Sequence, residues 1–141
     1  MIKRKISRID SIIVHHTGFM PKPEQDDISF IRHIHKQRGF EDAGYHFYVR
    51  TDGEVQAGRD IKFAGAHCKG KNKYSIGVVM AGNSAFTANQ FFALYRLLEF
   101  LIQKYEINPD KITRHCDHHN TLCPGFQLSK AFLNDMKKKY T

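Results

Sequence analysis

The stretch DKITRHCDHHNTLCPGF, residues 110–126, sets His115, His118 and His119 beside Cys116 and Cys123 within seventeen positions. Imidazole and thiolate are ligands that zinc prefers, and a catalytic zinc site uses three protein ligands and leaves a fourth position open. A metal held that way polarises a carbonyl or phosphoryl group and makes water a nucleophile near neutral pH. A second source of ligands lies a hundred positions earlier, in SIIVHH, where His15 and His16 close an apolar run. Successive strand residues point to opposite faces, so at most one of this pair reaches a given site. His15, His115 and Cys123 would make a His, His, Cys set, with Pro124 stiffening the loop that carries the thiol. The pattern leaves His16, His118 and His119 as competing ligands. It also allows a bland alternative, in which Cys123 is a small core residue and the histidines are ordinary polar groups.

Side chains so far apart in sequence need a rigid frame to meet. Residues 11–16 read as a buried strand, being a short run of β-branched residues. Residues 27–38 read as a helix capped by Asp27, with Ile31, Ile34 and the stem of Arg38 on one face and Gly39 just past its end. YHFYVR (45–50) and EVQAG (54–58) flank Thr51-Asp52-Gly53, and Asp-Gly favours a tight hairpin turn. SIGVVMAG (75–82) is a further buried strand. Residues 88–105 carry apolar side chains at helical spacing, from Phe91 and Leu94 to Ile102 and Tyr105, behind a capping box of Thr87 and Gln90. KITRH (111–115) is a short strand that delivers His115 at its end, and residues 128–138 form a last helix packing Leu128, Phe132 and Met136. Strands separated by helices, with one hairpin, predict an α/β fold: a single domain with a central mixed β-sheet flanked by helices.

The bulk properties agree with one domain over residues 1–141, with 41% hydrophobic and 26% charged residues. No apolar run approaches the roughly 18 residues of a membrane span. The apolar run near the N-terminus, residues 12–14, is too short for the core of a signal peptide, so no export route of the chain's own is visible. Three cysteines exclude a full disulfide framework and leave a thiol for a metal. The net charge of +8, with lysine groups at 3–5, 69–73 and 137–139, points to an acidic partner such as nucleic acid, anionic lipid or a carboxylate-rich polymer, or to plain solubility.

Five blocks, IIVHHTG, RGFEDAGYHFYV, TDGEVQAGRD, AGAHCKGKNKYSIGVVMAG and RHCDHHNTLCPGF, occur in the order in which they occur in a known family. Over about residues 11–132 the chain resembles the zinc-dependent N-acetylmuramoyl-L-alanine amidases of the peptidoglycan recognition protein family, in particular the small phage lysozyme-type amidases. The resemblance implies a peptidoglycan groove above the sheet, with Zn2+ held by His15, His115 and Cys123. It implies Tyr45 as an active-site phenol and Thr121 as a second donor to the oxyanion, where some phage enzymes carry lysine. It further implies substrate contacts from His67 and Asn72, while Cys68 and Cys116 stay unligated. Arg59 is expected to brace the hairpin through an ion pair.

The expected function is hydrolysis of the amide bond between N-acetylmuramic acid and L-alanine. The expected protein is a monomer that binds neither nucleic acid nor membrane. It is made in the cytoplasm without a signal peptide and acts on the cell wall after release, as a phage or prophage endolysin does. One alternative is a peptidoglycan-binding module without catalysis. Another is a metal-dependent nuclease, suggested by CDHHN and the positive charge, although that site is usually a compact ββα unit.

Overall fold

The computed structural model describes residues 1–140. Five strands form one mixed sheet: β1 (Ser11–His16), β2 (Phe47–Val49), β3 (Val55–Ala57), β4 (Ser75–Met80) and β5 (Ile112–Arg114), in the spatial order β3-β2-β4-β1-β5. Strand β1 pairs in parallel with β4 on one side and β5 on the other, β2 pairs in parallel with β4, and β2–β3 is the antiparallel hairpin. Three helices cover it: α1 (Ile28–Gln37), α2 (Ala88–Tyr105) and α3 (Lys130–Tyr140).

Strand alternation divides the sheet into two faces. Ile12 and Val14 of β1 and Ile76, Val78 and Met80 of β4 pack with Leu94, Leu98, Leu101 and Ile102 of α2 and Met136 of α3, forming the main core. Val79 of β4 and Tyr48 of β2 pack with Ile28 and Ile31 of α1 on the opposite face. Ser11, Ile13 and His15 alternate with Ile12 and Val14, so they lie on that second face.

The local signals hold in detail. Asp27 caps α1 by accepting from Ser29 N at 2.8 Å, and Gly39 beyond the helix has φ +94°. Thr87 and Gln90 close the capping box of α2 with bonds of 2.9 and 3.1 Å. The hairpin turns through Gly53 at φ +90°, which an L side chain rarely adopts. Most strand boundaries, and those of the first and last helices, differ by one or two residues. The 45–50 strand narrows to Phe47–Val49, although the carbonyls of Tyr45 and His46 still accept from Arg59 and Gly58 at 2.9 Å each and His46 N donates to Gly77 O at 2.9 Å. The last helix starts two residues later than 128, because Ser129 Oγ accepts from Phe132 N at 3.1 Å and so caps it. It runs to Tyr140, whose hydroxyl donates to Glu99 of α2 at 2.8 Å.

Arg59 departs from expectation in kind. It makes no ion pair among the described residues. Its buried guanidinium donates to the carbonyls of Ala43 (2.8 Å) and Ala64 (2.9 Å), tying the hairpin exit to the loop ahead of Tyr45. Backbone oxygens supply the acceptors there, so no carboxylate needs to be buried beside it.

Candidate metal centre

Parallel pairing of β1 and β5 sets Val14 opposite Arg114, so the next residue of each strand, His15 and His115, stand side by side. Their ring centroids are 4.7 Å apart. Cys123 arrives from the loop after β5, held by Cys116 N donating to its carbonyl (2.9 Å) and by its own N–H donating to Thr121 Oγ1 (3.2 Å). His16 N donates to its sulfur at 3.3 Å. One ligand atom from each of His15, His115 and Cys123 lies within 4.8 Å of the others. His16, on the other face, packs near Phe86 with ring centroids 6.4 Å apart.

These donors fit zinc. The distance from His15 Nδ1 to Cys123 Sγ is 3.8 Å. A tetrahedral zinc, with Zn–N near 2.0 Å and Zn–S near 2.3 Å, separates such atoms by about 3.5 Å. The electrostatics ask for a cation too. Burial, with His115 nearby, holds His15 down to about 3, so its imidazole is neutral. Burial pushes the Cys123 thiol up to about 11. A thiolate is therefore disfavoured here until a positive charge arrives, and a divalent ion supplies one.

Tyr45 stands over this group, its ring centroid 5.2 Å from that of His15. Burial raises its phenol, so it is a proton-bearing donor at neutral pH. Sequence reasoning missed its support. His35, on the same face of α1 as Ile31, packs 5.5 Å from the Tyr45 ring and accepts from Gly44 N at 2.8 Å. The i, i+4 spacing of Ile31 and His35 was the available signal.

The remaining candidates have these surroundings. Thr121 Oγ1 accepts from Cys123 N, which leaves its own hydroxyl proton free. Asn72 Oδ1 accepts from the backbone N–H groups of His67 and Cys68, both at 2.9 Å, so its oxygen sets a loop and its NH2 remains. His67 has both nitrogens engaged, with His15 at 2.9 Å and Ser75 at 3.2 Å. His118 bonds Thr113 Oγ1 at 2.7 Å, and His119 donates from Nε2 to Lys69 O at 2.9 Å. Cys68 and His119 also come within ligand distance of His115, as a second group that sequence spacing does not reveal. Along the same sheet face runs a groove of about 280 Å³ whose charged lining is Lys71, Lys73 and Lys111 with Asp10 and Asp110.

The chain is similar to known proteins over most of its length. A family model described as N-acetylmuramoyl-L-alanine amidase matches residues 5–126. The endolysin of Enterobacteria phage T3 is 38% identical over 130 residues, covering 86% of this chain and 83% of its own. Among solved structures, the N-acetylmuramoyl-L-alanine amidase LysC from Clostridium intestinale superposes with TM-score 0.77 at 33% identity, covering 96% of this chain and 87% of that one. The peptidoglycan recognition protein PGRP-SA of Apis mellifera gives TM-score 0.79 at 28% identity, covering 94% and 86%.

Proposed function

The chain belongs to the N-acetylmuramoyl-L-alanine amidase family and hydrolyses peptidoglycan, and from that premise we propose that it does so with zinc held by His15, His115 and Cys123. The observation that carries this reading is the convergence of those three ligand atoms within 4.8 Å, at the ends of neighbouring strands. When bound, zinc supplies a Lewis acid that polarises the scissile carbonyl and makes water nucleophilic near neutral pH.

The chain's own residues do the rest. The bond cut joins the muramyl lactyl carbonyl to the amine of L-alanine. Tyr45 donates its phenolic proton in a hydrogen bond to the oxygen on which charge develops, and Thr121 adds a neutral donor through its free hydroxyl proton. The NH2 of Asn72 is a further donor for substrate. Lys71, Lys73 and Lys111 along the groove attract the carboxylates of the wall polymer. One catalytic unit acting as a monomer is sufficient for cleavage. The protein is made in the cytoplasm and reaches the wall after release.

Two other readings lose ground on particular residues. A binding module without catalysis has no need of a thiol aligned with two imidazoles and a phenol above them. A nuclease would use the histidines of CDHHN, yet His118 and His119 are tied to Thr113 and Lys69, just past a 3-10 turn (His115–Asp117) that follows a single strand.

Digestion of purified walls tests the proposal. New α-amino groups of alanine should appear without new reducing sugar ends, and reducing ends instead would refute the assignment. Cys123→Ala should lose zinc and lysis together, measured by metal analysis and turbidity; full lysis without bound metal would overturn the ligand set.

A further inference from the structure

A line of hydrogen bonds runs from a backbone carbonyl to His15, and its polarity can be worked out from one end. A carbonyl only accepts, so Ser75, whose Oγ lies 2.6 Å from Lys71 O, commits its single proton there. Ser75 Oγ then has only lone pairs to offer, and His67, with Nε2 3.2 Å away, is the donor. A neutral imidazole protonated at Nε2 has a bare Nδ1. That nitrogen faces His15 Nε2 at 2.9 Å, so His15 donates from Nε2 and carries its own lone pair on Nδ1. Nδ1 is the atom 3.8 Å from Cys123 Sγ.

We propose that His67 is a positioning residue for the metal: anchored through Ser75 to the Lys71 carbonyl, it locks His15 in the Nε2–H tautomer and aims the Nδ1 lone pair at the ligand site. This rests on the reading of His15, His115 and Cys123 as ligands. Were the His67 proton on Nδ1 instead, His15 Nε2 would have to accept, its own proton would sit on Nδ1, and the ligand atom would be blocked.

Packing leaves the ring little choice of pose. A β-carbon at Gly77 would stand 2.6 Å from His67 Cγ and Cδ2, and one at Gly65 would stand 2.5 Å from Cδ2. The imidazole thus lies against β4 in space that two glycines leave open. Asn72 fixes the backbone from below by accepting from His67 N at 2.9 Å. Metal-bound histidines commonly donate their second nitrogen to a carboxylate or a carbonyl. Here the acceptor is a neutral imidazole, which orients the ligand without placing a negative charge beside the metal.

The test compares zinc affinity, by competition with a chromophoric chelator, in the wild-type chain and in His67→Ala, His67→Asn, Ser75→Ala and Gly77→Ala, with circular dichroism confirming the fold of each. His67→Ala should weaken zinc binding about 10- to 100-fold. His67→Asn should recover part of that loss, because its amide oxygen can accept near where Nδ1 stood. Gly77→Ala should weaken binding although it alters no polar group. In the zinc-free wild type, long-range proton–nitrogen spectra should show His15 protonated at Nε2, and this single tautomer should be lost in His67→Ala and reduced in Ser75→Ala. Should His67→Ala fail to fold, Ser75→Ala and Gly77→Ala decide the matter. Unchanged zinc affinity across the folded variants, or His15 protonated at Nδ1 in the zinc-free protein, overturns the proposal. Cys123→Ala separates the two failures: zinc retained there sinks the ligand assignment, whereas zinc lost there with normal affinity in the His67 variants sinks only the positioning role.

Discussion

A thiol buried beside two neutral imidazoles is a weak acid on its own, and in the proposed ligand set Cys123 becomes a strong ligand only with a cation at hand. His16 N–H already points at its sulfur, 3.3 Å away, ready to share the negative charge. Tyr45 is a different kind of participant, since nothing in its placement requires it to hold metal. Tyr45→Phe should retain zinc while kcat falls by about 100-fold or more, the usual cost of removing one oxyanion donor. Steady-state kinetics with metal analysis on one preparation would check this, and unchanged turnover would remove the phenol from the chemistry. At this scale the sequence was informative about residue type and nearly silent about partners. His15, His115 and Cys123 could be named as a possible set, but pattern could not choose among six candidates. The resemblance implies a substrate contact from His67, whereas its bond to His15 depends on where β4 lies, and no spacing encodes that.

Elements show the reverse balance. Helix α2 was legible to the residue, because its apolar spacing and its capping box are both local. Thr87→Ala should remove the cap and cost about 1 kcal/mol in denaturant unfolding, with zinc affinity untouched. The start of α3 is not legible in the sequence, because Leu128 fits the apolar stripe while Ser129, the true cap, looks like one more polar residue. Helix α1 hid a buried histidine in its apolar face. Burial keeps His35 down to about 4, and His46 likewise, whereas both take up protons near 6.5 when unfolded. Above pH 6.5 neither state is protonated and there is no penalty. As pH falls toward 4 the unfolded chain gains protons that the folded one refuses, so stability is lost across that window, by up to about 3 kcal/mol for His35. His35→Leu should lower stability at pH 7 by about 1–3 kcal/mol, because Gly44 N–H loses its acceptor, and should flatten the slope below pH 6.5. Melting curves at pH 7 and pH 4.5 would reveal both effects, and a slope identical to wild type would exclude His35 as the titrating group.

Across the whole molecule, net charge and topology matter more than any contact. A charge of +8 with lysines along the groove should speed encounter with an anionic polymer. Raising ionic strength from about 0.05 to about 0.5 M should therefore slow lysis of intact walls several-fold, since the Debye length shrinks well below groove dimensions. Cleavage of a small soluble muramyl peptide should change far less, and an equal loss on both substrates would rule out steering. The fold class was legible from the alternation of strands and helices. The neighbouring of β1 and β5 was not, because register between strands a hundred residues apart is set by the sheet as a whole. Among the described residues no helix is long and apolar enough to cross a membrane.

Strand β1 lies between β4 and β5, so the first strand made waits for partners at both flanks. On a ribosome, a nascent chain that stops short of Ile112 has one bare hydrogen-bonding edge on β1, and it has neither His115 nor Cys123. With the proposed ligand set, wall-cutting ability therefore waits until Cys123 has been made. Chains cut short of that point should be inert toward cell wall, and prone to stick to one another through that naked edge.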